Sequence, residues 1–150
     1  MAIRIGEQPD SCLYSNKIGI QTWSICASPS LLAQFTSEKI KQFTGLLLID
    51  KCIESKSICW KGLEESNYVS ARCDDFHAQL MLAVQNIGFC CLPNWVTFSA
   101  IANGQLVKVM DDPFLRRDVI YALRPFQKTS AKIALFIKAV KTSLANIARN

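Results

Sequence analysis

The chain has 150 residues, half of them hydrophobic and 19% charged, with a formal net charge of +5 from 17 Lys+Arg against 12 Asp+Glu. That length and apolar content can bury one sizeable core or two small ones, and they exclude a disordered chain. The basic residues are scattered, with no basic block beside a recognition helix; no apolar run approaches the roughly 18 residues of a membrane span, and the N-terminus is not a signal peptide.

Taken in chain order, Ala2 to Gly6 reads as a short strand, and Glu7 to Asp10 as a break at Pro9. Ile18 to Cys26 alternates as a strand. Ser28-Pro29 opens a short helix to Phe35, because a Ser cap satisfies early N–H groups and proline fits the first helical position. Ser37 is expected to cap a second helix, and Leu46 to Ile49 to form a short strand. Lys56 to Trp60 and Tyr68 to Cys73 are further strand candidates. Asp74 and Asp75 open a central helix expected to run to about Ile87 and to stop at Gly88, a residue suited to a left-handed cap.

Phe89 to Leu92 is a continuous apolar run, the signature of a strand buried on both faces, and Pro93 ends it. Asn94 is expected to cap a helix to Asn103, closed by Gly104. Leu106 to Met110 is extended, Asp111-Asp112-Pro113 turns, and Val119 to Leu123 is a strand. Thr129 to about Ala148 is a helix with Ile133, Phe136, Ile137, Val140, Leu144 and Ile147 on one side; Lys128, Lys132, Lys138 and Lys141 form its wet face. Strands alternating with helices predict an α/β protein with a partly parallel sheet.

The residues that could do chemistry do not converge. Seven cysteines (Cys12, Cys26, Cys52, Cys59, Cys73, Cys90 and Cys91) form no CxxC or Cys/His cluster, so no metal site is expected. Most lie in apolar runs, where a free Cys acts as a small hydrophobe, and this favours a reducing compartment such as a cytoplasm. Cys90 and Cys91 read as core. His77 is the only histidine and has no positioned nucleophile. No phosphate-cradling glycine loop occurs. Neither catalytic residues nor a cofactor are expected.

Four stretches in order resemble the effector-binding domain of LysR-type transcriptional regulators: Ala2-Ile3-Arg4-Ile5-Gly6-Glu7 with Pro9-Asp10-Ser11; Cys26-Ala27-Ser28-Pro29 with Leu31-Leu32-Ala33; Ala83 to Pro93; and Ile101-Ala102-Asn103-Gly104-Gln105-Leu106-Val107. Each is weak alone; together, at this spacing, they cover nearly the whole chain. The resemblance implies a periplasmic-binding-protein-like (type II) pair of α/β lobes with a small-molecule effector bound between them. The second lobe would be complete at about residues 12 to 104, and the first partial, from residues 1 to 11 and 105 to 150. No winged helix-turn-helix precedes these stretches, so Met1 looks like an internal start, and DNA would be reached only through the missing N-terminal domain of an intact regulator. The implied function is effector binding and dimerisation in the cytoplasm, without membrane contact. A stand-alone solute-binding-protein-like module or an inactive gene fragment is the alternative.

By the same resemblance Arg4, Ile5 and Gly6 line the effector site at the first crossover. Arg4 could fork onto a carboxylate or point to solvent. Cys73, Asp74, Asp75 and Phe76 stand at the start of the central helix, which would face the site. There the two aspartates either cap the helix or border a ligand, and their charge disfavours a simple carboxylate. Cys73 is either a sensing thiol or an inert one. Phe76, Leu80, Val84 and Ile87 define one apolar face of that helix. Met81 and Leu82 point largely away from it, and mark either a dimer interface or burial beneath a loop.

Overall fold

The computed structural model describes residues 1–6, 12–51, 60, 66–110, 117–125, 127 and 130–148. In chain order the elements are β1 (Ala2–Ile5), β2 (Tyr14–Ala27), α1 (Pro29–Leu32), α2 (Ser37–Gln42), β3 (Leu47–Asp50), β4 (Tyr68–Arg72), α3 (Phe76–Val84), β5 (Cys90–Pro93), α4 (Asn94–Ala102), β6 (Val107–Met110), β7 (Arg117–Arg124) and α5 (Ala131–Ala148). The expected break at Glu7–Asp10 and turn at Asp111–Pro113 lie outside the described residues, as do the strand expected at Lys56–Trp60 (Trp60 excepted), Lys128, and the side chain of Ile147.

The chain forms two compact units, Met1–Thr22 with Arg117–Asn150, and Trp23–Arg116. The lobe boundaries expected near residues 12 and 104 differ from this division. The physical reason is β2, a single 14-residue strand whose Tyr14–Thr22 part pairs with β7, while its Trp23–Ala27 end pairs with β5 and β6.

In the Trp23–Arg116 unit the sheet is mixed. The end of β2 runs antiparallel to both β5 and β6. The β3–β4 pair is parallel. A parallel bridge, Leu48 with Phe89, ties β3 to the start of the β5 run. Period-two alternation divides the side chains between two cores. Ile25, Ala27, Leu48, Phe89 and Cys91 join Leu31, Phe43 and Trp60 in one. Cys26, Ile49, Cys90 and Leu92 join Ala83, Val96 and Ala100 of α3 and α4 in the other. All four residues of β5 are buried, as a continuous apolar run predicts.

The helix termini refine the expected ones. Ser28 caps α1 as expected, its hydroxyl oxygen accepting from Leu31 N at 3.1 Å, and it donates to Asn86 Oδ1. For α2 the cap is Thr36, one residue before the expected Ser37. Asn94 does not cap α4; it is the first helical residue, and its Oδ1 accepts from the Ser24 hydroxyl. α3 ends at Val84, short of the expected Ile87, and the left-handed residue that follows is Asn86 (φ 65°) rather than Gly88. Gly88 is required for closeness: a Cβ there would sit 2.7 Å from Ser70 Oγ and 2.8 Å from Leu47 O. Gly104 (φ +70°) does close α4 as expected.

The Met1–Thr22 and Arg117–Asn150 unit has an antiparallel β1-β7-β2 sheet. Ile137, Val140 and Leu144 of α5 pack on Ile18, Ile120 and Ala122. Gly19 permits this approach, since a Cβ there would meet Leu144 Cδ1 at 2.9 Å. Phe136, expected on the packed side, is instead exposed, and Leu135 is 69% exposed. The stripe that packs is the narrow one of Ile137, Val140 and Leu144; Ile133 is half-buried, and the other described side chains of α5 are exposed.

Candidate functional site

The start of α3 is built where two parallel strands end. Asp50 is the last residue of β3 and Arg72 the last of β4. Cys73 N donates to Asp50 O at 2.8 Å, which carries the chain from β4 toward the helix. Asp75 is the cap, with Oδ1 accepting from Ala78 N at 2.8 Å. Beneath the turn, buried Gln79 donates from Nε2 to the Cys73 carbonyl and so fixes the approach from inside. Loops at the carboxyl ends of parallel strands, next to a helix N-terminus, are where open α/β sheets hold ligands.

Around this turn lies a group that pattern reasoning did not assemble. The Phe76 ring stands edge-on to Trp23, with centroids 5.6 Å apart, and to Trp95, 6.3 Å apart. Lys51 Nζ lies 5.6 Å from the Phe76 centroid, a cation–π geometry. The Arg72 guanidinium is 3.8 Å from the Asp50 carboxylate and donates to the Lys51 carbonyl. Trp23 is buried whereas Trp95 is half exposed, so the aromatic group reaches from the core to the surface. A lysine immediately after a strand, and a tryptophan on the outer side of a helix that follows a buried strand, were the available signals.

The expected site residues sort by unit. Cys73, Asp74, Asp75 and Phe76 come together at this turn, with Asp75 as the cap. Cys73 is half-buried, and its Sγ lies 3.8 Å from the Asp75 carbonyl. Arg4 and Ile5 belong to β1 and are exposed. Gly6 (φ +93°) continues the strand, donating to Val119 O at 3.0 Å. Met81 is 57% exposed, but Leu82 is half-buried against the α3/α4 core. That departs from the expectation that both point away from it. The buried residues of α3 are Gln79 and Ala83, whereas Ile87 lies beyond the helix and is exposed.

Cys26 and Cys90 are buried free thiols, and burial pushes the Cys90 thiol above its usual range, with Cys26 adding to the effect. Cys91 is buried as expected but disulfide-bonded, a correction to its reading as a free core thiol. His77 is exposed. Among the described residues no group of three or more His, Cys, Asp or Glu is arranged to hold a metal ion, and no helix is long and apolar enough to cross a membrane.

Comparison with known proteins gives one consistent picture. Residues 1–145 match the family model described as the LysR substrate binding domain. The regulatory domain of AphB from Vibrio vulnificus, treated with cumene hydroperoxide, is 20% identical with a TM-score of 0.65, covering 93% of this chain and 73% of its own. The regulatory domain of CrgA, a LysR-type transcriptional regulator from Neisseria meningitidis, is 17% identical with a TM-score of 0.67, covering 95% and 74%. The effector domain of the regulator AmpR of Pseudomonas aeruginosa is 16% identical with a TM-score of 0.68, covering 98% and 73%. No curated protein is a significant match. The α/β architecture with mixed sheets is that of type II periplasmic-binding-protein-like effector domains.

Proposed function

The chain belongs to the LysR substrate binding domain family, the effector-binding region of LysR-type regulators and not an enzyme family, and from that premise we propose that it senses a small molecule through the α3 turn. Domains of this family bind small-molecule effectors within oligomeric regulators. The match to residues 1–145 leaves no room within these 150 residues for a DNA-binding domain. The observation that carries the reading is the grouping of Phe76, Trp95 and Lys51 beside the Asp75-capped helix. An aromatic edge that reaches solvent supplies contact area, and the adjacent cation and carboxylates select polar groups.

The residues proposed for effector binding are Cys73, Asp74, Asp75 and Phe76, joined by Lys51 and Trp95. Arg4, Ile5 and Gly6 are proposed on the resemblance alone. Met81 is the proposed interface residue of a homodimer or higher oligomer, with Leu82 beside it. DNA would be reached only through the DNA-binding domain of an intact regulator. Binding would favour one conformation over another by differential affinity, with no bond made or broken. The cytoplasm is the proposed compartment. The free buried thiols suit it, and the Cys91 disulfide is the feature it has to accommodate, since such bonds are rare there.

Thermal unfolding across a metabolite panel tests the reading. An effector that binds only the folded chain raises the melting temperature, by about 2.7 kcal/mol of stabilisation at a hundred times its Kd. A flat response across the panel would favour an inactive domain.

A further inference from the structure

Three carboxylates stand at the α3 turn, but each is committed within the protein. Asp50 Oδ1 accepts from Lys51 N at 2.8 Å, and its Oδ2 lies 3.8 Å from the Arg72 guanidinium. Asp75 caps the helix through Ala78 N, and Asp74 is engaged as well. The Lys51 ammonium differs from all three. Among the described residues it meets no carboxylate and no hydrogen-bond acceptor; what it meets is the Phe76 ring, 5.6 Å away at the centroid. A ring face attracts a cation but accepts no strong hydrogen bond, so the ammonium keeps its N–H donors for a further group. Lys51 is also half-buried, with less water to satisfy those donors than an exposed lysine has. The uncommitted charge at this turn is therefore positive, although carboxylates outnumber cations there.

We infer that the ligand of this turn is a small aromatic monocarboxylate, its carboxylate on Lys51 and its ring against Trp95 and Phe76. The inference rests on the effector reading given above and adds the ligand class to it. Trp95 is 47% exposed, so its ring has surface to offer. Lys51 Nζ and the Trp95 ring both lie within 6.3 Å of the Phe76 centroid. Aromatic pairs form at centroid separations of about 4.5–7 Å. A carboxylate on the ligand ring, or one carbon from it, therefore reaches Lys51 without a spacer. An ammonium–carboxylate hydrogen bond is charge-assisted and outweighs what a neutral amide gains at the same seat. One negative charge is the limit. A second would meet the field of Asp74 and Asp75, with Arg72 already beside Asp50. The repulsion expected from the two aspartates thus bears on that second charge, while the first has Lys51.

Titration of the full chain with benzoate, benzamide and benzylamine, followed by ligand-observed NMR, tests this, since one ring then carries an anion, a neutral group or a cation. Benzoate is expected to bind with a Kd about tenfold or more below that of benzamide, and benzylamine to bind weakest. Added salt narrows the gap between benzoate and benzamide. Lys51→Gln brings benzoate to the benzamide value and leaves benzamide unchanged. Phe76→Leu weakens both by a similar factor. Lys39→Gln, at an exposed lysine of α2, alters neither and so controls for overall charge. A preference for benzoate that survives Lys51→Gln, or that Lys39→Gln abolishes equally, overturns the inference. So does benzamide or benzylamine binding as tightly as benzoate, or a metabolite panel whose stabilising compounds are all neutral or cationic; in these cases the effector reading stands. A chain that neither the three probes nor any panel compound binds removes that reading and this inference with it.

Discussion

The two units differ in how completely each covers its own sheet. In the Trp23–Arg116 unit the sheet is packed on both faces, and Phe89, Leu92, Leu48 and Leu31 are all essentially inaccessible. In the other unit, among the described residues, one helix, α5, packs on one face, every residue of β1 is exposed, and Ile20 is 44% exposed. Charge follows the same divide. Residues 23–116 carry eight Lys+Arg against nine Asp+Glu, net −1, whereas the other unit carries net +6. An even scatter of basic residues along the chain thus becomes an asymmetry once the fold gathers both ends. Stability should therefore reside in the first of these units and free surface in the second.

Substitutions ranked by expected effect can break that comparison. Phe89→Ala, at a residue with no exposed surface, should destabilise the chain by about 3–5 kcal/mol, measured by urea unfolding. Gly88→Ala should cost about 1–3 kcal/mol, because the Leu47 carbonyl is backbone and cannot move aside as a flexible side chain would. Ser70→Gly in the same chain should recover only part of this. Asp75→Ala should cost about 1 kcal/mol through the lost cap, and Asp75→Asn much less. Effector affinity falling with the alanine but not the asparagine variant would separate capping from direct charge recognition. Leu135→Lys, on the exposed part of α5, should stay within about 0.5 kcal/mol of the parent. A loss above 2 kcal/mol there would mean that this surface is not free.

Cys90 adds a pH test to the packed unit. Its thiol titrates higher folded than unfolded, so the folded state holds the proton more tightly. The resulting stability is fully present below the ordinary thiol value of 9.0 and is lost as pH rises above it. Replacing Cys90 with Ala should flatten the decline in stability above pH about 9, read from denaturant midpoints. An unchanged slope would show that Cys90 is not the group responsible.

Much of this was legible in the residues because the relevant signals are local. The buried run at Phe89 to Leu92, the Ser28-Pro29 helix start and the Asp75 cap each depend on neighbours a few positions away, and each was met in the structure. The family likeness rested on such joints in register. What stayed hidden needs the third dimension. Gly88 looked like a helix stop, but the atoms that demand a glycine belong to Ser70 and Leu47, far off in sequence. Helical spacing put Phe136 with Ile133 and Ile137, yet α5 packs on a stripe too narrow to include it. Trp23, Lys51 and Trp95 converge on Phe76 from three separate elements or loops, and no spacing rule joins them. Leu82 divides from Met81 because the buried side of α3 centres on Gln79 and Ala83.

The central claim is that the α3 turn holds a small-molecule effector, and isothermal titration calorimetry tests it most directly. The compound that stabilises the chain most in the thermal panel is titrated into the parent protein and into Phe76→Ala and Lys51→Ala variants whose circular dichroism matches the parent. The account predicts saturable binding at one molecule per chain, with affinity at least about tenfold weaker, or roughly 1.4 kcal/mol, in each variant. Equal affinity in parent and both variants would contradict it.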